Sequence, residues 1–174
     1  MWKPCDLTSQ ENILDGEGQV MARKAEGDNR ADGVTPELDE LSSTLMGDAF
    51  DLLAAGRDVD VLLVVSDAAG KVASYAFSDD GMEECLAGAR AKVRELRQAH
   101  GDPEAGLGDP QRYAITYEGA VADESGAYQD AVLLEFGEKG YKSYSAYSYV
   151  KGRGEGDGFA WTEPAPAGEV EPLL

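Results

Sequence analysis

Half of the eight tyrosines in the chain fall within one short stretch: Tyr141, Tyr144, Tyr147 and Tyr149. In an extended strand alternate residues share a side, so Tyr141, Tyr147 and Tyr149 face one way and Tyr144 the other. Ser143, Ser145 and Ser148 lie between them. Tyrosine brings a large contact area at low entropic cost together with one polar atom, and it is enriched at binding surfaces. The plainer reading is a half-buried sheet face whose hydroxyls reach water. A second cluster, Arg90, Arg94 and Arg97, falls on one side of a helix, with Lys92 apart. It suits the docking of an acidic segment, the chain's own tail included, or compensation of the helix dipole. These seven residues are the candidate partner-binding side chains, and the partner they suit is a protein or peptide.

Other chemistries find less support. His100 is the sole histidine, so a catalytic triad or a histidine-rich zinc site has no raw material. It stands before Gly101, where an imidazole suits a helix C-terminus. Cys5 and Cys85 are far apart and form no C-x-x-C pair, and Cys85 reads as a small core residue. Gly152, Gly154, Gly156 and Gly158 resemble a phosphate loop by count alone. No helix pattern follows them, and Glu155 and Asp157 would repel phosphate. Asp28 to Gly33 echoes a calcium loop, but its third position is Arg30 and its twelfth is Asp39 rather than glutamate. Neither catalytic residues nor a metal site nor a cofactor is assigned. One alternative stays open: Asp123, Glu124 and Asp130, near strand turns, could meet a divalent cation and serve an enzyme.

The net charge of −19 repels nucleic-acid backbones and anionic membranes. Imitation of nucleic acid is a further alternative, but the carboxylates are spread along the chain rather than set in rows. The longest apolar run, residues 61–65, is far short of the roughly 20 residues that span a bilayer. Residues 1–10 hold no apolar leader core. A soluble cytoplasmic protein is therefore expected.

What must position the tyrosines is a set of short elements. Residues 1–34 lack persistent periodicity and read as a poorly ordered segment, with one short helix near residues 9–14. Thr35-Pro36 opens a helix whose apolar stripe runs through Leu38, Leu41, Leu45, Ala49 and Leu52, and Gly56 closes it. A hairpin follows over residues 59–66 and 71–78, turning at Asp67 to Gly70. Residues 61–65 are apolar on both faces, which predicts a central strand. Asp80 and Glu83 have capping-box spacing for a second helix ending at His100. Three strands then follow over residues 112–118, 129–136 and 141–150. Residues 151–174, rich in glycine and proline, read as an acidic, linker-like tail in which only Phe159 and Trp161 look able to dock.

The expectation is one α+β domain over residues 35–150: a single, mostly antiparallel five-stranded sheet with two helices, in the order α-β-β-α-β-β-β. Both helices are expected on one face. Small sensor and adaptor folds of the roadblock and profilin-like kind are similar in order of elements alone, and no motif carries a family assignment. The functional expectation is a protein-binding or adaptor module, not an enzyme, that uses the Tyr-rich strand face. A homodimer could cover the open side of the sheet.

Overall fold

The computed structural model describes residues 29–174, so the short helix proposed near residues 9–14, Cys5 and Asp28 lie outside the described residues. Helix α1 spans Pro36–Ala54. Thr35 caps it by accepting the Leu38 N–H on its Oγ1 at 3.2 Å, and Glu37 and Asp39 add negative charge at the positive end of the dipole. Strands β1 (Val61–Asp67) and β2 (Val72–Phe77) form the hairpin. Its turn is held by the Asp67 carboxylate, which accepts the Ala69 and Lys71 N–H groups, both at 2.9 Å.

Helix α2 spans Met82–Ala99. Its N-cap is Gly81, without a side-chain bond, so the proposed Asp80 capping box does not form. Asp80 instead accepts the Cys85 thiol on its backbone carbonyl. At the far end His100 takes the left-handed conformation, φ 58°, and ends the helix. Strands β3 (Pro110–Ala122), β4 (Tyr128–Glu138) and β5 (Ser143–Lys151) follow as an antiparallel meander. The hairpin joins it through β1 beside β3, so β1 is internal, as its two apolar faces require.

Three expectations are corrected. Among the described residues the sheet has seven strands rather than five: with β6 (Ala160–Trp161) and β7 (Ala165–Val170) the order is β2-β1-β3-β4-β5-β6, and β7 also pairs with β5. The extra strands, β6 and β7, come from the supposed tail. That segment pairs along β5 and then buries Leu173 and Leu174. Its glycine-rich start is docked as well. Gly154 donates its N–H to the Leu53 carbonyl at 2.9 Å, and Arg153 pairs with Asp58 and Glu118. β-Pairing needs backbone groups, not apolar side chains, so composition alone concealed it.

The helices also lie on opposite faces of the sheet, not on one. Helix α1 packs with Ala114, Val132, Leu134, Phe136, Tyr144 and Ala146. Helix α2 packs with Val61, Leu63, Val65, Tyr113 and Ile115, joined by Leu173 and Leu174. Alternation along β1 and β3 sends one parity to each core. Among the described residues no helix is long and apolar enough to cross a membrane. The α+β class with a mostly antiparallel sheet stands.

Candidate functional site: a tyrosine and carboxylate concavity

The β3–β4 hairpin ends in a turn built on Asp123. Its carboxylate accepts the Ser125 N–H at 2.8 Å, the Ser125 hydroxyl at 2.6 Å, the Ala127 N–H at 3.1 Å and the Gln129 side-chain amide at 2.8 Å. Gly126, at φ +87°, completes the turn. The Ser125 hydroxyl first, then the Gln129 amide, lowers the Asp123 carboxyl to about 2. A carboxylate that is ionised near neutral pH is thereby fixed at the hairpin tip.

β5 brings two tyrosines beside it. Ladder partners share a face, and Tyr147 pairs with Leu133, Tyr149 with Ala131. Both rings therefore lie on the α2 side of the sheet, beyond the part that α2 covers. They are half-buried and meet edge to face, with centroids 5.2 Å apart. The Tyr149 hydroxyl donates to the Ala122 carbonyl at 3.0 Å. Partial desolvation, followed by the neighbouring Tyr147 hydroxyl, raises the Tyr149 phenol. Together with Ala122, Asp123, Glu124 and Ser125 these rings line an open concavity of about 690 Å³.

The other two tyrosines do not join them. Tyr144 is completely buried in the α1 core, where its hydroxyl accepts the Gly33 N–H at 2.9 Å. Tyr141 precedes β5, in the turn after β4, and its backbone bridges Ala31. Of the three tyrosines expected on one side of the strand, Tyr147 and Tyr149 lie together and Tyr141 does not. Parity separated Tyr144 from the others, but only the start of β5 at Ser143 set Tyr141 apart.

The arginines also divide. Arg90 forms a two-point ion pair with Glu135 of β4, at 3.1 and 2.5 Å, and Glu135 is buried. The glutamate was missed in the sequence, where it interrupts an apolar run from Ala131 to Phe136. Arg94 meets Glu171 of the C-terminal segment at 3.2 Å, with both side chains exposed. Arg97 is exposed on the last turn of α2. Arg90 and Arg94 line a cavity of about 450 Å³ with Glu135, Val170 and Leu173.

The remaining candidates are structural in their contacts. His100 Nδ1 lies 3.0 Å from Asp109, which also holds Lys139 at 2.8 Å. Asp32 pairs with Lys142 at 3.0 Å. Asp130 is not among the residues lining the concavity, and Asp123 is committed to its turn. Among the described residues no group of three or more His, Cys, Asp or Glu is placed to hold a metal ion. Compared with protein families, with curated proteins and with solved structures, the chain matches none.

Proposed function

We propose that this protein is a protein-binding module that receives a basic side chain of its partner between Tyr147, Tyr149 and the carboxylates at the β3–β4 tip. One observation carries the reading: the two rings open beside ionised Asp123 and exposed Glu124 in one concavity. Aromatic faces and carboxylates both attract cations, and a lysine or arginine head satisfies both at once. The net charge of −19 draws a basic partner from a distance.

The test is titration of the labelled full chain with a lysine- and arginine-rich peptide, beside its glutamine counterpart. The basic peptide is expected to bind and the neutral one to fail. Tyr149→Leu, or Glu124→Gln, is expected to weaken binding by up to about tenfold, the scale of a single cation–π interaction in a partly desolvated site. Tyr149→Phe keeps the ring and most of the affinity. Binding that ignores both Tyr149→Leu and Glu124→Gln defeats the assignment.

A further inference from the structure

Among the described residues strand β2 ends the sheet with no strand on its outer edge, and that edge has an unusual make-up. Edge strands normally carry a charge, a proline or a bulge that discourages pairing. Val72-Ala73-Ser74-Tyr75-Ala76-Phe77 contains no charge, no proline and no glycine, and its pairing with β1 runs without a register shift. The Asp67 N–H donates to the Lys71 carbonyl at 3.0 Å, which makes those two residues a hydrogen-bonded pair. Alternation then turns the backbone of Ala73 and Tyr75 towards β1, and that of Val72, Ser74 and Ala76 outward. These same three residues carry their side chains on the α1 face. Helix α1 packs mainly on β3 and β4 and stops short of β2, so all three are exposed.

Between α1 and this strand lies a groove of about 460 Å³. Its strand floor sets Val64 and Val72 beside Ser66 and Ser74, and its helix wall carries Leu41 together with Glu37, Glu40 and Asp48. Among the described residues the one cation that lines it, Arg112, is paired with Glu138 at 2.7 Å. We infer that β2 is a strand-addition site for an extended partner segment that alternates apolar and basic residues. Main-chain bonds to Val72, Ser74 and Ala76 supply the pairing, and the groove reads every second side chain. The charge selects the occupant. A second copy added edge to edge would bring Glu37, Glu40 and Asp48 against their own counterparts, in a chain already at −19. A basic segment meets those carboxylates with opposite charge. This site lies across the sheet and on the opposite face from Tyr147 and Tyr149, and it does not depend on them.

The probe is a fluorescent peptide of alternating valine and lysine, of about six residues to match an ordinary strand. It is expected to bind saturably to the full chain, to weaken as salt is added, and to slow hydrogen exchange at the Ser74 and Ala76 amides. The same peptide N-methylated on alternate residues along one edge is expected to lose binding, a control that does not touch the protein's folding. Ser74→Pro, which removes an outward N–H, should abolish binding. The combined Glu37→Gln, Glu40→Gln and Asp48→Asn variant should weaken it several-fold. Tyr149→Leu should leave the slowed exchange at the Ser74 and Ala76 amides unchanged, whatever it does to basic peptide held at the concavity, and this separates the two sites. Equal slowing at Ser74 and Ala76 by the N-methylated peptide, or no slowing there by the unmodified one, overturns the inference. So does protection of those amides that rises with protein concentration alone, because a second copy would then own the edge.

Discussion

Glu135 sits at a buried position on β4, and Arg90 reaches over from α2 to neutralise it. Removing one partner of such a pair leaves a charge without compensation, which costs more than removing both. Arg90 is partly exposed, so water softens the loss. Arg90→Ala is therefore expected to destabilise the fold by about 2–3 kcal/mol in urea unfolding, below the range of a fully buried pair. The double variant Arg90→Ala with Glu135→Leu should recover part of that loss. Acid sensitivity belongs to the same scale. Asp67 is held below the usual carboxylate range, chiefly by the Gly108 N–H. Asp102 is lowered first by the Tyr75 hydroxyl, Asp109 first by Lys139. A lowered folded-state pKa contributes stability in full above the unfolded value, about 3.9 for aspartate, and loses it as pH falls through the folded value. Thermal unfolding should thus be flat near neutrality and fall steeply below about pH 4. Asp67→Asn, which no longer titrates, should be less stable at neutral pH and show a shallower acid limb. None of these partners is adjacent in sequence to the group it perturbs, except within the turns. The Asp123 turn was legible as a turn, while its place beside Tyr149 was not.

Elements with strong local signals came through as read. Thr35-Pro36 opens α1, and the stripes of both helices are buried in part. Leu38, Leu45 and Ala49 of α1 enter the core while Leu41 and Leu52 are half-buried. In α2, Cys85, Ala89, Val93 and Leu96 are buried while Met82 is exposed. The β1–β2 turn at Asp67 and Gly70 follows from turn chemistry. The C-terminal segment failed that reading because its contribution is mainly backbone pairing, to which glycine and proline content is a poor guide. Ala165–Val170 pairs with β5 through a register shift, and Pro166 sits opposite Ala146 at that irregularity. Leu173 then enters the α2 core. Leu173→Ala is expected to cost about 2–3 kcal/mol, measured by chemical denaturation, where a free tail would show no change. The aromatic cluster at the start of the same segment has the same origin. Trp161 stacks on Phe50 with centroids 4.9 Å apart, joining β6 to α1. Phe159 and Trp161 were legible as docking residues, but the helix that receives them was not.

At the scale of the whole molecule, 34 acidic residues face 15 basic ones. The described ion pairs engage many of the bases, among them Arg90, Arg94, Arg112, Lys139, Lys142 and Arg153. The surplus carboxylates repel one another, and salt screens them. The midpoint of thermal unfolding should therefore rise as sodium chloride goes from about 10 mM to about 150 mM, across which the Debye length shrinks from about 30 Å to about 8 Å. A falling midpoint would mean that the favourable pairs outweigh the repulsion. By itself the amino-acid sequence determined the two amphipathic helices, the hairpin, the meander and the acidity, because each depends on neighbours along the chain or on composition. Only the tertiary structure decided that the helices take opposite faces, that the last residues complete the sheet, and that Tyr147 and Tyr149 stay accessible while Tyr144 is buried. Those outcomes turn on which strands become neighbours and how far each helix reaches across them, and strand order is a property of packing that no local spacing encodes.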